Sequence, residues 1–140
     1  MNKRTISERD VKHYTLNIIQ QMNQEQYTPE YVCGFARGGL VVANYISQWY
    51  DIPMYAINKD QKFDCKLDFF TNVLIVDDIN DTGKTLNDFK EKYGKHQDFK
   101  YAALVDNAGS CFETDFAGHY INKLEVPDWI VFPWENWWHS

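Results

Sequence analysis

Between Val73 and Leu86 the chain reads VLIVDDINDTGKTL, so aspartates 77, 78 and 81, threonines 82 and 85 and Gly83 crowd in behind one apolar run. Acidic groups and free amide donors are thereby concentrated at a single place. Asp77 and Asp78 suit polar hydroxyls such as those of a ribose, or a magnesium ion and its waters, because hard cations take carboxylate oxygens. Beyond them, the successive N–H groups of residues 81–85, the hydroxyls of Thr82 and Thr85 and the positive end of a following helix form a cradle for a phosphate monoester. Gly83 lets the backbone approach closely. Phosphate and sugar sites would then be neighbours.

Other loops share parts of this pattern and fail at single positions. Gly83-Lys84-Thr85 matches the end of a P-loop, yet Asp78 stands where its first glycine belongs, and a carboxylate there would repel the phosphates. A calcium loop starting at Asp78 matches Asn80 and Gly83 but carries Phe89 where a bidentate glutamate must sit, and a strand precedes it instead of a helix. An ordinary strand-turn-helix connection with an acidic N-cap accounts for Asp81 and Gly83, but not for the whole group.

The elements that must position this segment follow from periodicity. Val73 to Val76 is a continuous apolar run, the signature of a strand buried on both faces, and it ends in Asp77-Asp78. Thr85 to Tyr93 reads as a helix closed by Gly94. Upstream, Ser7 precedes a segment in which Val11, Tyr14, Ile18 and Met22 recur at helical spacing, with Asp10 three residues after the N-cap. Tyr31 to Cys33 is a short strand ending at Gly34, and after Ala36-Arg37-Gly38-Gly39 the run LVVANYISQWY has helical length. Met54 to Ile57 and Tyr101 to Val105 read as further strands. This alternation predicts an α/β fold, a mainly parallel sheet with right-handed crossovers whose ligands lie at the carboxyl ends of the strands. The loops at 34–39 and 77–85 both follow strands and so share that edge.

The whole chain of 140 residues fits a single domain. Its net charge of -6 argues against nucleic acid or a membrane surface as partner, since both call for a basic face. Cys33, Cys65 and Cys111 show neither CxxC nor ligand spacing, which predicts no disulfide frame or zinc site and a reducing cytoplasm. The N-terminus lacks a signal-peptide core, and no apolar run is long enough to span a bilayer. His13, His96, His119 and His139 have no mutual ligand spacing and are expected to be surface or structural. Aromatic residues make up 16% of the chain, and Trp129, Trp134, Trp137 and Trp138 crowd its end. Core or dimer-interface packing is the expected role for most of them.

The segment Val73 to Leu86 closely resembles the phosphoribosyl pyrophosphate signature of type I phosphoribosyltransferases, in which two acids, two variable residues and Asp-Thr-Gly-x-Thr follow a hydrophobic strand. The resemblance implies that fold, with a small hood from the C-terminal segment at about 107–140. It implies that Asp77 and Asp78 meet the ribose hydroxyls and Mg2+. Asp81, Thr82, Gly83, Lys84 and Thr85 would hold the 5-phosphate. Asp81 would also lie beside N7 of a purine as general acid/base. Arg37, Gly38 and Gly39 match the family's pyrophosphate loop, where glycine amides and a basic side chain hold the leaving group. The stretch Lys59 to Asp68 occupies the place of its flexible catalytic loop and is short, with Lys59, Lys62 and Lys66 able to meet pyrophosphate on closure.

The segment from Val126 to Glu135 resembles the end of the bacterial xanthine-guanine phosphoribosyltransferases, where a WI pair precedes a proline, a tryptophan and an acid. That makes Trp129 the base-stacking aromatic and Ile130 the backbone contact to the purine. One position departs: 6-oxopurine enzymes carry a lysine donor to O6 after the strand Tyr101 to Val105, and here Asp106 stands there. Asp106 against the base would accept from an exocyclic amine, with Asn107 or Lys123 as alternative donors. The function implied is transfer of ribose 5-phosphate from phosphoribosyl pyrophosphate (PRPP) to a purine, with Mg2+ as cofactor, in a cytoplasmic homo-oligomer. A PRPP- or nucleotide-sensing protein of the same fold is the alternative.

Overall fold

The computed structural model describes residues 2–58, 60, 72–94 and 98–139. Apart from Asp60, the expected catalytic loop with Lys59, Lys62 and Lys66 lies outside the described residues, as do Cys65 and His96.

After a short strand β1 (Lys3–Thr5), helix α1 (Glu8–Gln24) opens on the expected capping box. Ser7 Oγ accepts from the Asp10 amide at 3.0 Å, and the Ser7 amide donates to Asp10 at 3.0 Å, satisfying two otherwise orphaned donors. These bonds also hold the Asp10 carboxyl below its usual range. Strand β2 (Tyr31–Phe35) runs past Gly34, and α2 (Gly38–Tyr50) follows directly. Then come β3 (Met54–Ile57), β4 (Val73–Asn80), α3 (Lys84–Phe89) with a π-helical turn at Lys90–Gly94, β5 (Phe99–Asn107), β6 (Phe116–Ile121) and β7 (Trp129–Val131).

Five strands form a parallel sheet in the order β3-β2-β4-β5-β6. The continuous apolar runs are resolved by the two-residue alternation of strands. Leu74, Val76, Ala102 and Leu104 join the core beneath α1 and α2, with Ile18, Met22, Val42 and Ile46. Val73, Ile75 and Tyr101 face the other way, onto Leu86, Phe89 and Phe112. The sheet is therefore covered on both sides. Between β2 and β4 the chain reverses its direction of travel across the sheet. Such a switch point opens a crevice at the carboxyl edge, because the helices leaving the two strands pack on opposite faces.

One sequence expectation needs correction. The strand carrying the aspartates does not end at Asp77-Asp78 but continues to Asn80, held by β5 pairing of Ile79 with Val105 and Asn80 with Asp106. Within the segment 107–140, expected to form a hood, β6 pairs with β5 in the main sheet. What stands apart is β7, paired in parallel with β1, so the N-terminal strand contributes a partner that the C-terminal segment lacks by itself.

Candidate active site

Strand β4 brings Asp77 and Asp78 to the carboxyl edge at the switch point. They line neighbouring cavities, with their carboxyl groups close enough to interact. Asp78 lines a cleft of about 760 Å3 together with Arg37, Gly38, Asp81, Lys123, Trp129 and Ile130. Asp77 lines a neighbouring cavity of about 440 Å3 with Ala36, Lys84 and Thr85. Both border a third, open space of about 270 Å3 lined by residues 77–86, the expected phosphate cradle. The Asp77 carboxyl is pushed well above its usual range, first by burial and then by the charge of Asp78.

In the cradle, Gly83 is the residue preceding α3 and has φ of 92°. A side chain there is excluded twice, by this left-handed conformation and by space, since a Cβ would lie 2.5 Å from Ser110 Oγ and 2.6 Å from the Phe112 amide nitrogen. The loop is tied to that neighbour by the Cys111 amide, which donates to Thr82 O at 2.8 Å. The Lys84 amide donates to Thr82 Oγ1 at 3.2 Å. The Lys84 ammonium is turned outward to Asp88, at 2.6 Å, an exposed pair that contributes little stability.

The peptide between Ala36 and Arg37 is cis, and α2 begins immediately after it. Gly38 lies under the Asp78 carboxylate, where a Cβ would come within 2.1 Å of Oδ2. Gly39 brings α2 down onto β4, its Cβ position being 2.7 Å from Val76 O. The pyrophosphate-loop candidates and the ribose-binding candidate are thus in direct contact.

On the opposite wall, β7 carries Trp129 and Ile130. Ile130 is buried, whereas Trp129 is 54% exposed, with the Lys3 ammonium 5.3 Å from its ring centroid. Phe132 and Trp134 stack at 4.8 Å and line the cleft beside them. Trp137 and Trp138, 67% and 62% exposed, lie at its rim. Core burial is not the role of Trp129, Trp137 or Trp138 in this structure.

Asp81 accepts from the Lys123 ammonium at 2.7 Å. Asn107 Nδ2 donates to Asp81 O at 2.9 Å and approaches Asp81 Oδ1 at 3.4 Å. Asp106, expected against the base, accepts through its carboxylate from Asn80 Nδ2 at 2.9 Å and from Thr114 Oγ1 at 3.1 Å. It is not among the residues lining the large cleft. In register with Asn80 on one side and Tyr120 on the other, it serves to fasten the ends of the strands. No periodicity or motif marks Asn80, because only the β4–β5 register sets it opposite Asp106.

Among the described residues no group of three or more His, Cys, Asp or Glu side chains could hold a metal. The adjacent carboxylates of Asp77 and Asp78 nevertheless fit Mg2+, which keeps most of its waters and takes one or two carboxylates plus substrate phosphates. No helix among the described residues is long and apolar enough to cross a membrane.

Several solved structures share this fold. Purine phosphoribosyltransferase from Pyrococcus horikoshii Ot3 superposes with a TM-score of 0.79 at 28% identity, over 97% of this chain and 95% of that one. The xanthine-guanine-hypoxanthine phosphoribosyltransferase of Helicobacter pylori gives 0.78 at 23% identity, over 99% and 95%. A hypothetical protein from Neisseria gonorrhoeae with bound ppGpp gives 0.74 at 21%, over 96% and 91%. The fold is that of the type I phosphoribosyltransferases. No curated protein sequence gives a significant match. The model of the phosphoribosyl transferase domain matches residues 2–138, and the chain therefore belongs to that family.

Proposed function

We propose that the protein transfers the 5-phosphoribosyl group of PRPP to a purine base, releasing a nucleoside monophosphate and pyrophosphate. The observation that carries this reading is the convergence of Arg37, Asp78, Asp81 and Trp129 on one cleft at the sheet's switch point. The names of the Pyrococcus and Helicobacter structural relatives support a purine as acceptor.

In the proposed reaction the bond from C1′ to the pyrophosphate oxygen breaks as the bond from C1′ to N9 of the purine forms. The cradle of residues 81–85 holds the 5-phosphate through its amides and the Thr82 and Thr85 hydroxyls. Asp78 accepts from the ribose hydroxyls and fixes C1′ relative to the base, and Arg37 draws the charge that develops on the departing pyrophosphate. Trp129 stacks on the base. Asp81, beside N7, takes up the proton the purine loses. Mg2+ held by Asp77, Asp78 and pyrophosphate oxygens would neutralise the leaving group.

Incubation of the protein with PRPP, Mg2+ and a panel of nucleobases should release pyrophosphate with at least one purine. No release with any base would refute the transfer reading. A second reading, binding of PRPP or a nucleotide without transfer, draws on Asp106 in place of the family's lysine and on the similarity to the ppGpp-bound Neisseria protein. Saturable nucleotide binding without pyrophosphate release would favour it.

A further inference from the structure

Asp81 stands just past the end of β4, where pairing with β5 has stopped at Asn80. Its side chain is 42% exposed. A carboxylate so placed has several rotamers open to it unless other groups fix one, and a reacting group displaced by about 1 Å loses about 100-fold in rate. The fixing comes from Asn107, the last residue of β5. Asn107 Nδ2 donates to Asp81 O at 2.9 Å and approaches Asp81 Oδ1 at 3.4 Å. The other end of the same amide, Asn107 Oδ1, accepts from the Lys123 amide at 3.1 Å. Lys123 in turn places its ammonium 2.7 Å from Asp81 Oδ2. The turn that carries Lys123 is closed by Asn122, whose backbone oxygen accepts from the amides of Glu125 at 3.1 Å and Val126 at 2.9 Å.

Both ends of the Asn107 amide are thus engaged by the protein, and Asn107 is not among the residues lining the large cleft, whereas Asp81 and Lys123 are. It acts on the cleft through them. One side chain joins the loop after β4 to the turn after β6, two segments distant in sequence. The two ends of an amide are not equivalent: the nitrogen only donates and the oxygen only accepts. That asymmetry suits a carbonyl and a carboxylate on one side and an N–H on the other. A carboxylate of the same shape would satisfy the Lys123 amide and repel Asp81.

Resting on the transfer reading above, we propose that Asn107 is the positioning residue for Asp81, holding its carboxylate at the purine without touching the substrate. The amides of residues 82–85 lie outside these bonds. Asn107→Ala should therefore lower kcat about 100-fold, with the KM for PRPP within about threefold of wild type. In an Asp81→Asn background the same substitution should cost less than about threefold, because a residue that acts through a carboxylate loses its effect once that carboxylate is gone. Asn107→Asp keeps the shape and the bond to the Lys123 amide, and should lose at least as much as Asn107→Ala; it carries the test if the alanine variant does not fold. Calorimetry with whichever of GMP and AMP wild type binds more tightly gives a readout without turnover. Affinity should fall about tenfold in Asn107→Ala and less than about threefold in the Asp81→Asn background. This coupling in a wild type that releases no pyrophosphate would sink the transfer reading and leave the role of Asn107 standing. Losses that add in both backgrounds, or a fully active Asn107→Asp, overturn the role of Asn107 and leave transfer standing. A wild type that neither binds a nucleotide nor releases pyrophosphate overturns both.

Discussion

Gly38→Ala separates positioning from folding at this site. A Cβ at residue 38 would sit 2.1 Å from Asp78 Oδ2, 2.7 Å from its Cγ and 2.8 Å from Trp134 Nε1. Carbon and oxygen rest against each other at about 3.5 Å, so the carboxylate must retreat by about 1 Å or more. The atoms that must move are the ends of side chains, and the φ of Gly38 is not among the positive values that disfavour alanine. Alanine at the start of α2 even gains up to about 1 kcal/mol of helix propensity over glycine, which offsets part of the crowding. Stability should therefore change little, with Tm within about 4 °C of wild type. A reacting geometry displaced by about 1 Å loses about 100-fold in rate. The expected result is a kcat/KM for pyrophosphate release lowered about 100-fold, equivalent to about 2.7 kcal/mol, at nearly unchanged Tm. An unchanged kcat/KM in a variant of wild-type stability would refute the placement of Asp78 at the ribose. A large fall in Tm would show instead that the backbone, not the carboxylate, gives way.

Asp81→Asn should lower kcat about 100-fold or more while leaving PRPP affinity within a few fold, measured by single-turnover kinetics and calorimetry. Equal losses in both would contradict proton transfer at that carboxylate. Gly83→Ala must adopt a φ of 92° against the Phe112 amide, so thermal unfolding should show a loss of about 2 kcal/mol or more, and a neutral result would contradict the close packing of that loop. Asp106→Ala takes an acceptor from Asn80 and Thr114 and should cost about 1–3 kcal/mol in denaturant titration. His119 stacks on Tyr14 at 4.6 Å and meets Arg4 at 3.0 Å, and burial followed by the Arg4 charge holds its imidazole below the ordinary 6.5. The unfolded chain then binds the proton more readily, so the stability His119 contributes is present above pH 6.5 and is lost as pH falls below it. Tm should accordingly drop more steeply for wild type than for His119→Phe between about pH 7.5 and 5.5, and parallel curves would refute this.

Much of the architecture was legible because local rules and global fold agree. The Ser7–Asp10 box, the apolar run Val73 to Val76 and the glycine-bearing loops each carry their own physical signature, and parallel pairing follows from their alternation. The family resemblance points to Asp78, Asp81, Arg37 and Trp129, and the fold brings them to one cleft. Strand β4 was read too short because aspartates disfavour strands in isolation, whereas pairing with β5 carries the strand to Asn80. Strands β1 and β7, with three residues each, leave no periodic trace, and their pairing joins opposite ends of the chain.

The donor half of the site could be read from one contiguous segment because a phosphate cradle is built from consecutive amides, and consecutive residues are neighbours whatever the rest of the chain does. The acceptor half could not. Whether Asp106 faces the base or its neighbouring strands depends on the register that sets Asn80 beside it. Lys123 reaches Asp81 only because Asn107 joins two turns that are distant in sequence. Side-chain direction at a strand end, and contacts between loops, arise from long-range packing, which no local pattern of residue types encodes.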